Sequence, residues 1–455
     1  MSDNRKIDEN LARMKEEMIR SIQECVQIDS VKGEPEEGAP YGPGPRKALD
    51  YALELGKKLG FSAVNVNNRS GYVEFGSGDE MVGVLGHLDV VPVTGTWTYP
   101  PFGGELHDGK LWGRGVMDDK GPAIGALYAL KAIADAGLPL SRRIRVILGT
   151  DEECGSSCVK DYIASGQELP AVGFTPDAEF PLIFSEKGAG NYRLTRKLQD
   201  PASNRVRTLQ GGTAANVVIE DCFLEAEGGL ESCPKGVEIS RDGQSSMTRV
   251  HAMGKSAHGS RPELGINAAV MMAQVLEREQ LGSDFDAFAG FIRDMLGYDT
   301  NGTALGIRRF DEETGDTTVN LGLVSFDGSE FSMTLDVRYP RTADADAVRD
   351  RIMAAAKRYG MEAERLTSVR NLYVPKDSEV VQKLMKVYRE RTGRNEQPLA
   401  VGGGTYAKAF KNMVAFGAEF PGENHNTHSP DEFVEVDRLL EAIGLIAAGM
   451  YELAK

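Results

Sequence analysis

The sequence predicts an α/β fold: a mixed sheet with helices on both faces, interrupted by a large α+β lid domain. Apolar strands and amphipathic helices alternate over the first 187 residues and resume near the end of the chain. Between them, polar and turn-rich stretches separate shorter strand candidates. A chain of 455 residues also exceeds the usual range for one domain. We therefore expect residues 1–187 and 378–455 to form one domain, and residues 188–377 the lid.

The periodicity of apolar residues places the individual elements. Spacing of three and four residues indicates helices, and short apolar runs bounded by turns indicate strands. In the first domain, the expected helices are 7–29, 46–59, 121–136 and 438–453, and the expected strands are 81–86, 144–149 and 171–175. In the lid, the expected strands are 246–253, 317–326 and 331–339, and the expected helices are 265–278 and 343–359. We expect no internal sequence repeats.

Composition and charge limit the functional classes. The formal net charge of −16 argues against nucleic acid or an anionic membrane as the main partner, because both require clustered Lys and Arg. The first twenty residues are densely charged, unlike a signal peptide, and no apolar run reaches membrane-spanning length. The five cysteines are odd in number and scattered, which favours reduced thiols and the cytoplasm.

Three predicted strands end in residues that bind metals well. His87 and Asp89 follow the first strand, Glu152 and Glu153 the second, and Asp177 the third. In open α/β sheets, ligands gather outside the carboxyl ends of the strands. Core packing does not place acidic and imidazole groups at three separate strand ends. The pattern therefore predicts a shared site at this edge.

The His87-x-Asp89 pair fits a metal ligand and its supporting carboxylate. Residues two apart on an extended chain face the same side. Asp89 could then accept the Nδ1 proton of His87 and leave Nε2 free for a metal. The alternative is a buried histidine whose hydrogen bond is simply satisfied by a neighbouring carboxylate.

Glu152 and Glu153 are adjacent carboxylates directly after a buried strand. Such a pair is costly unless a cation or a proton offsets its charge. One carboxylate could bind a metal while the other transfers protons, as metal-assisted hydrolysis requires. The alternative is a solvated acidic turn.

Two further segments have both a chemical and a structural interpretation. Asp118 and Asp119 directly precede a predicted helix, where an aspartate would serve equally well as an N-cap. His428 lies in a loop near the C-terminus, where a lone histidine is ordinarily polar surface. His425 is its nearest rival, and the context and spacing before the last helix favour His428.

Taken together, these segments resemble a known superfamily, that of aminoacylases, di- and tripeptidases and succinyl-diaminopimelate desuccinylases. Within it, the chain is most similar to the PepV-type (Xaa-His, carnosinase-like) bacterial dipeptidases. The motifs span essentially the whole chain in the family's order: G-H-L-D-V-V-P, G-R-G-x-x-D-D-K-G, T-D-E-E, P-D-A-E-F-P, G-x-S-A-H-G-S-x-P, G-G-G-T and H-S-P-D-E-F.

The resemblance implies a role for each matching residue in the catalytic domain. His87 and Asp177 would hold one divalent metal, Glu153 and His428 a second, and Asp118 would bridge both. It also implies a cis peptide after Asp118. Glu152 matches the general base, which would deprotonate a water bridging the two metals to give the attacking hydroxide, and Asp89 matches the supporting carboxylate. The ligand set suits Zn²⁺, and Mn²⁺ or Co²⁺ would also bind.

In the lid, the resemblance implies substrate contacts. His258 would stabilise the oxyanion of the reaction, and Arg338, Asn216 and Gly403 would contact the substrate. Arg338 suits bidentate capture of a C-terminal carboxylate, with a structural ion pair as the alternative. Family members with a long lid supply the matching histidine within one chain, so the length of this lid favours a monomer. Its active site would be complete only when the lid closes and brings His258 to it.

The expected activity is therefore that of a metal-dependent dipeptidase acting on unblocked dipeptides. An N-acyl-amino-acid deacylase or a carboxypeptidase would use identical metal ligands, and a rate comparison of free and N-acetylated dipeptides separates these possibilities. A non-catalytic metal- or peptide-binding protein is the alternative from another class. Glu152 beside Glu153 argues against it, because a binding protein needs no proton shuttle.

Cys154 and Cys158 follow Glu153 closely and raise the question of a redox switch. If the segment is helical, side chains four residues apart keep their Cβ atoms about 5–6 Å apart. A disulfide requires about 3.5–4.5 Å. We therefore expect structural thiols.

Overall fold

The structure, a computed structural model, describes residues 2–230, 236–241, 246–276 and 279–455. Its α-helices, in chain order, are α1 Ser2–Val26, α2 Pro43–Lys58, α3 Lys120–Ala136, α4 Ser157–Ala164, α5 Ala268–Val275, α6 Ser283–Phe291, α7 Ala345–Arg358, α8 Glu379–Thr392 and α9 Val436–Ala454. Within these described ranges, no helix is both long and apolar enough to cross a membrane.

The strands in the first part of the chain are β1 Ser62–Val66, β2 Ser70–Phe75, β3 Met81–His87, β4 Glu105–His107, β5 Lys110–Trp112, β6 Arg143–Gly149, β7 Val172–Thr175, β8 Ala178–Glu179 and β9 Ile183–Glu186. Those that follow are β10 Gly188–Lys197, β11 Val206–Gly211, β12 Asp221–Glu227, β13 Val237–Arg241, β14 Met247–Met253, β15 Phe310–Asp311, β16 Gly315–Asp316, β17 Thr318–Phe326, β18 Glu330–Tyr339, β19 Glu362–Arg365 and β20 Leu372–Tyr373. The last four are β21 Leu399–Val401, β22 Met413–Ala415, β23 Ala418–Glu419 and β24 Phe433–Glu435.

The chain forms two compact units. Unit 1 contains residues 1–184, 374–399 and 405–455, and unit 2 contains residues 185–373 and 400–404. The short segment 400–404 thus belongs to unit 2, although the surrounding chain belongs to unit 1. The functional division into a catalytic domain and a lid stays a prediction.

A mixed sheet forms the centre of unit 1, with the strand order β1-β2-β6-β3-β7-β22-β9. Strands β6, β3, β7 and β22 run parallel to one another, and antiparallel strands flank them. Every residue of β3 is buried, as expected for a central parallel strand covered on both faces. The carboxyl ends of four neighbouring strands therefore meet at one edge.

The helices of unit 1 bury apolar surface against this sheet and against each other. Helix α3 packs against α1 and α9, and both α3 and α9 contact β3. Helix α2 packs on β1 and β2, and α8 packs on α9 and β22. Residues 120–130 of α3 are all buried, so packing fixes the N-terminal end of this helix.

Unit 2 is built on an antiparallel sheet with the order β13-β14-β12-β11-β17-β18-β10-β19. Helices α5, α6 and α7 supply apolar residues to a core formed with the strands, including Phe285, Phe288, Phe331 and Ile352. The segregation of strands and helices is typical of an α+β unit.

The structure confirms the expected fold class of a mixed α/β sheet interrupted by an α+β insertion. Most elements lie within a few residues of their expected bounds. The lid helix expected over 265–278 is shorter: α5 begins after Asn267, whose side chain accepts hydrogen bonds from the backbone of Ala269 and Val270 as an N-cap. Residues 277–278 lie outside the described ranges.

Candidate active site

The sheet order explains how the strand-end residues come together. His87 is the last residue of β3, which lies between β6 and β7. Glu152 and Glu153 follow β6, and Asp177 follows β7. The three neighbouring strands thus deliver their polar residues to one place, as the alternation in the sequence predicts.

Asp118 lies at the centre of this cluster and uses its two carboxylate oxygens differently. Oδ1 lies 3.0 Å from Nε2 of His87, and the same Nε2 lies 3.6 Å from Oδ2 of Asp177. Oδ2 of Asp118 lies 2.9 Å from Nε2 of His428, which is 3.3 Å from Oε1 of Glu153. Each oxygen of Asp118 therefore contacts one histidine, and each of these histidines also contacts one further carboxylate.

These distances fit the binding of two metal ions. Ligand atoms about 2.0–2.2 Å from one tetrahedral Zn²⁺ lie roughly 3.3–3.6 Å apart, close to the separations around each Asp118 oxygen. His87, Asp118 and Glu153 each offer a ligand atom, and these atoms lie within 4.8 Å of one another. Two imidazoles and three carboxylates are a donor set that Zn²⁺, Mn²⁺ and Co²⁺ accept.

The electrostatics of the cluster also fit cations. Hydrogen bonds to Asp118 and then Glu153 raise the pKa of His428 to about 11. Burial raises the pKa of Glu152 well above its ordinary value, and the charges of Asp177 and Glu153 raise it further. So many carboxylates in one buried cluster repel one another, and divalent cations would offset that repulsion.

Asp89 supports the site in a way that differs in detail from the expectation. The closest partner of His87 Nδ1 is the backbone oxygen of Asp89, at 3.0 Å, whereas the Asp89 carboxylate lies 3.6 Å away. That carboxylate instead accepts the backbone N–H groups of Glu152, at 3.1 Å, and Glu153, at 3.2 Å. The backbone oxygen of Asp89 therefore fixes the tautomer of His87. The side chain of Asp89 holds the turn that carries Glu152, the expected general base.

Asp119 does not serve as the N-cap that the sequence allowed. It occupies the N-cap position of α3, but its side chain makes no capping hydrogen bond. Its Oδ2 accepts the backbone N–H of His87 instead, at 3.0 Å. The peptide between Asp118 and Asp119 is cis, as the resemblance implied.

His425 lies apart from the carboxylates that surround His428. Its ring is buried against Phe433, and its Nε2 lies 3.3 Å from Oε2 of Glu423. The structure thus brings His428, and not His425, to Asp118 and Glu153.

A further group of contacts holds the turn after β6, and the sequence did not reveal it. The Asp151 side chain is 1% exposed and pairs with Lys32, whose Nζ lies 2.7 Å from Oδ1. Its other oxygen accepts hydrogen bonds from the backbone N–H and the hydroxyl of Ser157. Tyr41 contacts the same serine through its hydroxyl, at 2.8 Å. The Gly- and Pro-rich loop of residues 33–44 therefore borders the turn that carries Glu152.

The expectation that the chain contains no repeats is wrong for one four-residue segment. The letters A-E-F-P occur at 178–181 and again at 418–421, and the two copies pair in parallel, with Glu179 opposite Glu419. Burial raises the pKa of Glu419 to about 7, and the charges of Asp118 and Asp177 add to this effect. The recurrence of A-E-F-P was the sequence signal that could have identified Glu419 as part of this acidic region.

Within unit 2, the expected substrate contacts lie together. The Gly259 N–H donates to the backbone oxygen of Asn216 at 2.6 Å, and His258 Nδ1 lies 2.7 Å from the Ser260 hydroxyl. Burial and then the charge of Arg338 lower the pKa of His258, which favours a neutral imidazole.

Arg338 makes both kinds of contact that the sequence left open. Its Nη2 lies 3.0 Å from Oδ2 of the buried Asp336, so the structural ion pair exists. Its Nη1 donates to the backbone oxygen of Gly402 at 3.0 Å. The glycine that contacts Arg338 is thus Gly402, whereas a side chain at Gly403 would meet open space. The ion pair fixes the plane of the guanidinium, which would prepare it for a carboxylate.

The two cysteines after Glu153 differ in environment. The helical geometry assumed for them is wrong, because α4 begins only at Ser157 and Cys154 lies in the preceding turn. Cys154 is exposed, whereas Cys158 is buried with its Sγ 2.7 Å from the Tyr406 hydroxyl. Cys158 fits the expectation of a structural thiol, and Cys154 does not. Cys233 lies outside the described residues.

Comparisons with known proteins identify the family of this chain. Residues 83–452 match the model of peptidase family M20/M25/M40. A Bacillus subtilis (strain 168) protein named "Putative dipeptidase YtjP" is 36% identical, over 97% of this chain and 98% of its own length.

Solved structures share the fold. Human carnosine dipeptidase 1 superposes with a TM-score of 0.64 at 15% identity, covering 99% of this chain and 98% of its own. Bacillus subtilis YXEP, described as a dinuclear metal binding peptidase from the M20 family, gives a TM-score of 0.54 at 11% identity, with coverage of 97% and 99%.

The chain belongs to peptidase family M20/M25/M40. This confirms the superfamily indicated by the sequence motifs, and with it a hydrolase acting on peptide bonds.

Proposed function

We propose that this protein is a dipeptidase that uses two divalent metal ions to hydrolyse the peptide bond of unblocked dipeptides. The observation that carries the proposal is the division of the Asp118 carboxylate between His87 on one oxygen and His428 on the other. His87 and Asp177 would hold one ion, Glu153 and His428 the other, and Asp118 both. When bound, the ions supply an activated water and polarise the scissile carbonyl.

Glu152 is the proton carrier in this proposal. It would accept the proton of the attacking water and return it to the leaving amine. Two features prepare it: burial raises its proton affinity, and the Asp89 carboxylate holds its backbone N–H. The same Asp89 binds the backbone of Glu153, so the base and a metal ligand would keep a fixed separation.

The proposed contacts with the rest of the substrate come from unit 2. His258 would donate a hydrogen bond to the developing oxyanion, and Arg338 would bind the C-terminal carboxylate of the dipeptide. Asn216 and Gly403 are assigned smaller roles in holding the substrate. The length of the insertion favours a unit 2 that supplies His258 within the same chain, so we propose a monomer as the active form.

Preference for an unblocked amino terminus has separate support. Glu179 and Glu419 lie opposite each other on paired strands, and the charges of Asp118 and Asp177 act on Glu419. In their ionised forms, these two glutamates would favour a substrate ammonium group over a neutral acyl group. The dipeptidase names of relatives such as YtjP point the same way.

We propose Zn²⁺ as the metal, with Mn²⁺ or Co²⁺ as substitutes, and the cytoplasm as the location. The tetrahedral spacing of N and O ligands supports Zn²⁺. The free thiols of Cys25, Cys154, Cys158 and Cys222 support a reducing compartment.

The test is a rate comparison on metal-loaded protein. Protein stripped with a chelator and reloaded with Zn²⁺, Mn²⁺ or Co²⁺ should cleave free dipeptides much faster than their N-acetylated forms. Faster cleavage of the acetylated forms would replace the proposal with a deacylase or carboxypeptidase. Metal binding without cleavage of any amide would indicate a binding protein instead.

A further inference from the structure

Glu432 is a fully buried carboxylate that the proposed reaction does not use. Its side chain is 0% exposed, and its two oxygens accept four hydrogen bonds. Oε1 accepts the backbone N–H groups of Met117, at 3.0 Å, and Asp118, at 3.3 Å. Oε2 accepts the backbone N–H of Gly115, at 3.0 Å, and Nη1 of Arg114, at 2.7 Å. Both oxygens are therefore occupied by residues of the loop that carries Asp118.

Arg114 also joins the loop that carries Asp118 to the loop that carries His428. Its side chain is 1% exposed, and its Nη2 donates to the backbone oxygen of Ser429 at 3.2 Å. Ser429 directly follows His428. The backbone N–H of Gly113 also donates to the backbone oxygen of Glu432, at 3.0 Å. The loops of residues 113–118 and 428–432 are thus joined at several points.

These two loops carry the residues that meet in the site. Asp118 ends one loop and His428 begins the other, and their side chains lie 2.9 Å apart. We propose that Glu432 is a positioning residue that, together with Arg114, fixes the separation of Asp118 and His428 for the metals. This inference rests on the proposed function insofar as it assigns metals to these ligands.

The chemistry of the contacts explains why a carboxylate is needed here. Three backbone N–H groups of one tight loop point to the same place, and each would be costly to bury without an acceptor. A glutamine at 432 would offer one oxygen and one NH₂ group. In either orientation, its NH₂ group would face two donors. We therefore expect Glu432→Gln to displace the Asp118 loop even though the side chain keeps its shape.

Unit 2 offers a matched control in Asp284. This carboxylate is 2% exposed, accepts the backbone N–H groups of Gln199 and Asp200, and pairs with Arg196 at 2.8 Å. It thus has the same kind of partners as Glu432, but it joins none of the proposed ligands. Asp284→Asn should lower stability by a similar mechanism without changing metal binding.

The experiment measures metal binding directly, without relying on hydrolysis. Chelator-stripped wild type, Glu432→Gln and Asp284→Asn are titrated with Zn²⁺ by calorimetry and with Co²⁺ by visible absorption, and folding is checked by circular dichroism. We expect Glu432→Gln to bind metal about 10–100-fold more weakly, as loss of a ligand's supporting contact generally does, with an altered Co²⁺ spectrum. Asp284→Asn should stay within about twofold of wild type, because distant sites act independently.

Two milder variants keep the test decisive if Glu432→Gln does not fold. Glu432→Asp keeps the charge with a shorter side chain, and Arg114→Lys keeps the charge but cannot bind Glu432 and the Ser429 backbone oxygen with one planar group. Both should bind Zn²⁺ more weakly than wild type when folded. A folded variant of either residue that binds both metals as tightly as wild type, with an unchanged Co²⁺ spectrum, would overturn the inference.

The outcome is also separable from that of the proposed function. If wild type binds two metals but cleaves no dipeptide, the proposed activity fails while the metal titrations still test Glu432. If wild type cleaves dipeptides and the Glu432 variants bind metal normally, only the role of Glu432 fails.

Discussion

Nε2 of His428 lies 2.9 Å from Oδ2 of Asp118, and this contact joins the C-terminal part of unit 1 to the loop before α3. The side chain of His428 is 55% exposed, so burial alone does not hold it there. Its φ of 61° is also unusual for a residue other than glycine. The contact therefore depends on the surrounding loop and on attraction to the carboxylates, and a shared cation would replace that attraction by direct bonds.

Metal binding should consequently stabilise the fold. A ligand at 100 times its Kd adds about 2.7 kcal/mol to the free energy of unfolding. We expect Zn²⁺ to raise the Tm of chelator-stripped wild type, and Asp118→Asn to lose most of this increase. The exposed Asp135, which pairs with Lys131 on the surface of α3, provides the control. Equal metal-induced shifts in Asp118→Asn and Asp135→Asn would contradict the assignment.

Replacing the proposed base should separate catalysis from metal binding. Because positioned acid–base groups contribute about 10²–10⁴-fold, Glu152→Gln should lower kcat by at least about 100-fold. The number of metals bound should remain two, since Glu152 is not among the proposed ligands. Glu168→Gln is the control, because Glu168 pairs with Arg143 away from the site. Full activity in Glu152→Gln would rule out the proposed mechanism.

Arg338→Lys should mainly affect substrate binding. Lysine keeps the charge but cannot hold Asp336, the Gly402 carbonyl and a substrate carboxylate with one planar group. We expect KM for free dipeptides to rise about tenfold or more, in line with the loss of charged hydrogen bonds. Arg249→Lys, at the exposed pair with Glu225, should leave KM unchanged. If KM is unchanged in both variants, Arg338 does not bind the substrate and its role is limited to the ion pair with Asp336.

Glu379 should make stability depend on pH. Hydrogen bonds from Arg142 and then Lys383 lower its pKa from 4.5 to about 2 in the folded state. A lowered pKa means that the contribution is complete above the unfolded value and is lost as pH falls toward about 2.

The contribution of this group is small because the Glu379 side chain is 42% exposed, so about 0.5–1 kcal/mol is expected at neutral pH. Urea unfolding of wild type and Glu379→Gln should therefore differ at pH 6 and converge as the pH is lowered below 4.5. A constant difference across this range would contradict the ion pairs.

Cys154 should be the fast-reacting thiol among the four that the structure describes. It is exposed, whereas the other three are buried. Burial raises the pKa of Cys154 as well, but it raises that of Cys25 to about 11 and that of Cys158 and Cys222 to about 12. A thiol reagent at pH 8 should therefore detect one fewer rapidly reacting group in Cys154→Ser than in wild type. Cys158→Ser should leave the rapid phase unchanged, and a decrease there would argue for an accessible Cys158.

Features of the fold that depend on a local pattern of residues could be predicted from the sequence. The runs before His87, Glu153 and Asp177 are apolar and short, so they indicate strands, and the geometry of parallel sheets then brings these residues to one edge. For Asp118 and His428 the residues alone left structural alternatives open, and it was the resemblance to the family that implied their roles. Their roles as ligands remain predictions until metals are measured.

Contacts between distant segments could not be predicted in this way. Nothing near Lys32 shows that it will pair with Asp151, and nothing near Glu432 shows that Arg114 will be its partner. These pairings arise only when the folded chain brings two loops together. For Cys154 and Cys158 the sequence argument considered only a helical segment, and the structure begins that helix at Ser157, after Cys154.

The position of β22 has a consequence for the order in which the molecule can be made. This strand lies between β7 and β9 in the sheet, yet residues 413–415 come more than two hundred residues after β7 in the chain. During synthesis from the N-terminus, the sheet keeps an open position beside β7 until those residues leave the ribosome. His428 and Glu432 emerge later still. If His428 holds a metal as proposed, the site stays incomplete until residues 413–432 have been made.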